Sequence, residues 1–314
     1  HIATFMLTLT AMFIINRIGL FSRDEVGALN LVPFLKSSGN QVIGLFTLTY
    51  VPNYFDILPM YIVILALLPL MVLLSRLNVY LALAASGLLW FVATTTNLNL
   101  PAEYWFSNNS TRQWFFNPFA WQLVFFTGFA FMSGWLPAPP RSRGLMIVAI
   151  VFLLLSLPFA WHVTIGEFDA IKTWRKDWRV LIDKTDFGLL RYFHFLALAY
   201  LAWLAAGFAG ENLTRTPFMK SLTRIFSCVG QQSLAVFASS IVLARILGAI
   251  LNEMGSGIWA SLFVNVLGFF CIYAIANIAA FAKSEPWKQV HTKPQLAVEN
   301  EDTQRSAPKL VVVK

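Results

Sequence analysis

Eight stretches of this sequence are apolar for about 20 residues at a time, the length a helix needs to cross hydrocarbon. They run roughly over Ile2–Phe21, Ile57–Ser75, Tyr80–Leu98, Phe119–Leu136, Leu145–Trp161, Leu190–Phe208, Ile225–Leu251 and Ile258–Phe281. A water-soluble chain cannot hide that many, because even a large soluble protein needs a wetted, charged surface. Of 314 residues, 58% are hydrophobic and only 12% are charged, against roughly 45–50% and 25% in soluble domains. The runs are continuous rather than alternating, which excludes the ten-residue pattern of a membrane β-barrel. The fold class expected is therefore all-α, a polytopic transmembrane helical bundle with about eight spans.

The charge pattern orients the bundle. Basic residues concentrate in the short connections on one side: Arg76, then Arg141 and Arg143, then Arg215, Lys220 and Arg224, then Lys283 and Lys288. By the positive-inside rule that side is cytoplasmic, and both ends of the chain are expected there. The other side receives three long loops, Ser22–Asp56, Asn99–Pro118 and His162–Leu189, longer than connectors require. The net charge of +8 fits basic loops facing an anionic bilayer. No basic cluster interleaved with aromatics presents a nucleic-acid surface, so no nucleic-acid partner is expected. Four His and two Cys, at Cys228 and Cys271, give no metal-ligand spacing, so no metal is expected either. Two regions are expected: a membrane domain over 1–282 and a polar, disordered cytoplasmic tail over 283–314. The first apolar run is entered at His1 without a leader, which reads as an N-terminally truncated chain.

Polar groups at the mouths of spans are costly in hydrocarbon and are functional candidates. At the outer start of the second span, Asn53, Tyr54 and Asp56 lie between Pro52 and Pro59; Asp56 can also serve as a helix cap. At the outer start of the fourth, Asn117 can cap the helix and Trp121 can anchor it at the interface, while Gln122 needs partners inside the membrane. At the outer start of the sixth, Arg191 and His194 share a helical face at i, i+3. There a histidine suits acid–base work and an arginine suits a carboxylate. Gln231 and Ser233 lie toward the cytoplasmic third of the seventh span, where small and amide residues also join helices. Asp56, Gln122, Arg191 and His194 are expected to converge on one outward cavity.

The segments Thr49–Tyr61 (TYVPNYFDILPMY), Asn117–Gln122 (NPFAWQ), Leu190–Tyr200 (LRYFHFLALAY) and Gly230–Phe237 (GQQSLAVF), in that order, resemble the OpgC family. These are inner-membrane enzymes that succinylate osmoregulated periplasmic glucans, related to the membrane acyltransferases that modify sugars. The resemblance covers His1 to about Ala282. It implies about ten spans in the intact protein, two of them ahead of His1, with a histidine in the missing stretch that the wider class associates with catalysis.

The resemblance thus implies a membrane O-acyltransferase of the bacterial inner membrane. It would transfer a succinyl group from succinyl-CoA, with no bound cofactor, to hydroxyls of a periplasmic glucan. His194 and Asp56 are the expected catalytic residues. Asn53, Tyr54, Asn117, Trp121, Gln122, Arg191, Gln231 and Ser233 are the expected substrate-binding residues. The rival reading is a carrier or flippase for a sugar-lipid or organic anion; such proteins also set polar residues within spans, in repeated halves, and no internal repeat is visible here.

Overall fold

The structure, a computed structural model, describes residues 1–19, 25–103, 110–255 and 257–284, and their regular elements are helices. Helix α1 (Ile2–Ile18) is followed by three short helices, α2 (Glu25–Ala28), α3 (Val32–Lys36) and α4 (Ser38–Phe46). Two long helices come next, α5 (Ile57–Leu77) and α6 (Val79–Thr96), then α7 (Pro118–Met132) and α8 (Arg143–Ala160). Short helices α9 (His162–Glu167), α10 (Asp169–Asp177) and α11 (Arg179–Ile182) lead into α12 (Leu189–Ala206). After a 3-10 turn come α13 (Pro217–Gln231), α14 (Ser233–Glu253) and α15 (Ile258–Lys283).

Local chemistry sets these boundaries. Asn78 ends α5 in extended conformation and its side chain accepts the Tyr80 N–H at 2.8 Å, capping α6. Asn97, in the left-handed region at φ 54°, closes α6. Asn117 caps α7 ahead of a proline at the first helical position, and Thr216 does the same for α13 ahead of Pro217.

Six helices are long and apolar enough to cross a membrane, and α1 and α7 are shorter apolar helices of 17 and 15 residues. Only 6–22% of the residues in each long span's apolar window are buried, so most of their Leu, Ile and Phe face outward. That surface is stable only where the solvent is itself apolar. The chain is an all-α, multi-pass membrane protein.

Two details differ from the sequence reading. The expected span over Ile225–Leu251 is two helices, because Gln232 leaves helical geometry at φ −106°, ψ 27°. Helix α13 mixes Lys220 and Arg224 with apolar residues, buries none of them, and packs against α15 instead of continuing α14. The polar run Gly230–Ser233 interrupts the apolar periodicity at that point. The second difference concerns α1, expected to rise from the side opposite the long loops. His1 instead lies beside the start of α5, its ring 6.5 Å from Phe55. Phe5 packs edge-on against Phe34, Tyr50 and Phe55. The long loop folds back along α1 because its apolar residues Val26, Leu29, Leu31 and Phe34 need a surface, and α1 supplies one. The start of α1 therefore lies among the long loops. The expected tail mostly lies outside the described residues: α15 runs to Lys283, and 285–314 are not described.

Burial is concentrated at the end of the bundle where the long loops gather. The largest buried cluster joins Phe5 and Met12 of α1 with Leu29, Leu45, Tyr50, Phe55, Ala102 and Trp114 from the loops. This loop-rich end is a packed layer, not a set of floating connectors.

Candidate functional site

Three interlocked pieces build the loop-rich end. The first two loops are tied by a polar knot. Arg112 pairs with Glu103 at 2.6 Å and donates to Asn53 Oδ1 at 2.9 Å. Asn30 and Ser110 also donate to Glu103, each at 2.9 Å. The Tyr50 hydroxyl donates to the Asn30 carbonyl, and burial pushes that phenol well above its ordinary pKa. Neither Arg112 nor Glu103 is among the residues that the sequence marks as candidates. No spacing in sequence links residues 30, 53, 103 and 112.

The third loop is pinned by the helix mouths. Asn117 Nδ2 donates to Leu98 O at 2.8 Å and to Asp186 Oδ1 at 2.9 Å, while its Oδ1 accepts the Phe119 N–H. The indoles of Trp121 and Trp90 donate to the carbonyls of Lys184 and Phe187. Gly188 is required here: a Cβ would stand 2.4 Å from the backbone of Leu181.

Between the tight hairpin of residues 183–188, closed by the Gly188 N–H to Asp183 carbonyl bond, the end of α8 and the start of α12 lies a cavity of about 600 Å³. Aromatic rings form much of its wall, including Phe115, Phe116, Trp121 and Trp174. Its charged lining is Arg175, Lys184 and Arg191, with His194 beside them and no carboxylate among the lining residues. Helix α10 closes one side: Trp174 packs on Phe159, centroids 4.6 Å apart, and Arg175 donates to the Phe159 carbonyl at the C-terminal end of α8. Arg191 Nε donates to Ile182 O at 2.6 Å. One edge of that guanidinium holds the hairpin, leaving its terminal nitrogens with no hydrogen bond shown to another described residue.

Asp56 sits behind this wall, 3% exposed. Its Oδ2 accepts the N–H of Phe115, a cavity residue, at 2.9 Å. Its Oδ1 has no partner among the described residues. Burial raises its pKa from 3.8 to about 6, outweighing the Phe115 hydrogen bond and the charge of Arg112.

The structure therefore brings Trp121, Arg191 and His194 to one cavity, with Asp56 one hydrogen bond behind it. Gln122 lies outside the lining. Its amide is fully used between α6 and α7, accepting from Ser86 Oγ at 2.6 Å and donating to the carbonyls of Ser86 and Phe119. Asn117 is a cap and a cross-tie. Tyr54, at φ 71° and 63% exposed, lies under the Arg245 guanidinium at 3.8 Å. Gln231 and Ser233 are exposed at the break between α13 and α14, roughly 18 Å along α14 from Arg245. Among the described residues no three His, Cys, Asp or Glu side chains gather as metal ligands would.

No curated protein and no solved structure matches the chain. A family model does: the one described as OpgC protein matches residues 1–284. The chain belongs to the OpgC protein family, membrane proteins with a role in modifying osmoregulated periplasmic glucans.

Proposed function

We propose that this chain is an inner-membrane O-acyltransferase that moves a succinyl group from succinyl-CoA to hydroxyls of a periplasmic glucan. The observation that carries this reading is the cavity. Its wall sets two guanidiniums and a lysine among aromatic rings, with no carboxylate in the lining. Such a site suits a ligand with one anionic end and flat, weakly polar faces. A succinyl group keeps a free carboxylate throughout transfer, and pyranose faces stack on rings such as Trp121 and Trp174.

In the reaction, a sugar hydroxyl oxygen attacks the thioester carbonyl carbon and the carbon–sulfur bond breaks. The hydroxyl proton passes through a base to the departing thiolate, giving the ester and free CoA thiol. His194, lining the cavity, is the base in this scheme. Asp56 supplies a second titratable group, a carboxyl whose pKa, about 6, lies within reach of neutral pH. Arg191 grips the succinyl carboxylate, with Arg175 and Lys184 completing the anion site. Asn53, tied to Arg112 and to the Ala28 carbonyl, and Tyr54, under Arg245, shape the loops around the cavity, and Asn117 and Gln122 hold the helices that carry Trp121. The exposed polar break at Gln231–Ser233 is the donor's proposed approach from the cytoplasm, with the loop-rich end periplasmic.

The test is reconstitution in liposomes with succinyl-CoA and glucan. Release of CoA thiol together with succinyl ester on the glucan, found by mass spectrometry, is the expected result. Glucan or anion crossing the bilayer with no ester formed would identify a carrier instead.

A further inference from the structure

Between α12 and α14 the chain makes a detour that crossing a bilayer does not require. Helix α12 starts at the hairpin of the loop-rich end, and α12 and α14 are each long and apolar enough to cross unaided. The 3-10 turn Phe208–Thr214 and helix α13, which connect them, therefore lie at the opposite end of the bundle. The Thr223 hydroxyl donates to the Leu213 carbonyl at 2.7 Å, seating the turn on α13, and Cys228 Sγ stands 4.0 Å from Asn277 of α15. Despite these contacts, none of the 15 residues of α13 is buried.

The two faces of α13 differ in chemistry. Lys220, Arg224, Ser227 and Gln231 follow one another at i, i+4, i+7 and i+11 and form one exposed polar stripe. Phe218, Leu222, Ile225 and Val229 repeat that spacing from two residues earlier, about 200° around the helix, and so form the opposite, apolar stripe. Phe218 is 73% exposed, and Phe226, beside that stripe, is 64% exposed. Arg215 adds a third exposed cation just ahead of the helix, and Arg141 a fourth, its guanidinium 5.9 Å from the Phe208 ring. Among the described residues Arg215, Lys220 and Arg224 are in no ion pair. Glu211 is the single acid between Asp186 and Glu253 in sequence, and its carboxylate accepts the Phe208 N–H.

Water strands the phenyl rings of such a helix, and hydrocarbon strands its cations. The boundary between headgroups and acyl chains suits both faces. A soluble anion would neutralise Lys220 and Arg224 but leave Phe218 and Phe226 in water. The complementary partner is an anion that carries an apolar chain. We propose that α13 is an interfacial helix that recognises anionic phospholipid. Arg215, Lys220 and Arg224 hold phosphate headgroups, and Phe218 and Phe226 enter the acyl boundary. The break at Gln232 lets α13 leave the axis of α14 and lie in that layer. Lipid recognition here needs neither the cavity nor the acyltransferase reading.

The test places the full chain in nanodiscs of phosphatidylcholine, alone or mixed with phosphatidylglycerol, and follows amide hydrogen exchange over residues 217–231. Phosphatidylglycerol is expected to slow exchange there roughly tenfold or more, since each cation near an anionic surface favours association about fivefold. Added salt should reverse the effect. Lys220→Gln combined with Arg224→Gln should remove most of the response and leave the melting temperature in phosphatidylcholine unchanged, because both side chains are exposed. Lys220→Arg combined with Arg224→Lys keeps the charge and should keep the response. Equal exchange in the two kinds of disc overturns the proposal. So does a full response in the Gln pair, or its loss in the charge-keeping pair. The same slowing by soluble glycerol phosphate in phosphatidylcholine discs would assign the stripe to a free anion and overturn it too.

Discussion

Asn117 and Asp186 are 69 residues apart in sequence and joined by a 2.9 Å hydrogen bond, with Asn117 wholly buried. Through that bond the cap of one span holds the hairpin that rims the cavity. Asn117→Ala removes the cap and strands the Leu98 carbonyl and the Asp186 carboxylate together. The expected loss is about 1–3 kcal/mol, read as a lower melting temperature in detergent. Faster proteolysis within the 183–188 hairpin should accompany it. Equal melting temperatures would show the tie to be dispensable.

Gln122 provides a contrasting case. Its amide clamps α7 to Ser86 of α6 from outside the cavity. Gln122→Leu strands Ser86 and should destabilise by about 1–3 kcal/mol, whereas adding Ser86→Ala should recover most of that loss. The KM for either substrate should not move in the double variant. A KM change there would return Gln122 to the binding site.

Arg191→Lys keeps a positive charge and loses the planar fork that both braces Ile182 and faces the cavity. Under the proposed mechanism KM for the succinyl donor rises roughly tenfold, with a smaller change in kcat. An unchanged KM would leave Arg191 as a helix anchor only.

Asp56 predicts a pH window. Its carboxyl titrates at 3.8 when unfolded and at about 6 in the folded protein, chiefly because burial disfavours the charge. The folded state thus binds the proton more tightly, and stability falls as pH rises from about 4 to about 6, then levels. The parental chain should lose up to about 2–3 kcal/mol across that window. Asp56→Asn should flatten the profile and melt higher than the parent at pH 7. If Asp56 also takes a proton in catalysis, the parental rate should rise through about pH 6 and the variant's should not.

Much of the fold was legible in the sequence because lipid makes a simple demand: about 20 apolar residues per crossing. Most span boundaries follow from it, and Asn78, Asn117 and Pro118 mark their helix starts as capping chemistry dictates. The break at Gln232 was missed because α13 is apolar enough on one face to extend a hydrophobic run, and only its Lys220 and Arg224 betray a surface helix. The course of α1 was missed because loop-charge counting assumes that a long loop stays clear of the spans, and here it folds back along one. At the site, Arg191 and His194 were readable from i, i+3 spacing. Arg175 and Lys184 were not, since their meeting with Arg191 depends on how α10 folds over the end of α8.

The unbalanced lining of the cavity has a consequence for the empty protein. With Arg175, Lys184 and Arg191 facing one space, no carboxylate in the lining, and Asp183 the nearby acid that acts on Arg191, the cations repel one another until an anion arrives. Occupancy and rigidity are then coupled. A dicarboxylate at a hundred times its Kd would add about 2.7 kcal/mol of stability, and helix α10 should become the segment whose hydrogen exchange slows most. Neutral sugars of the same size would leave that segment's exchange as it was. Handling the protein in succinate instead of chloride would hold the loop-rich end together before any substrate is supplied.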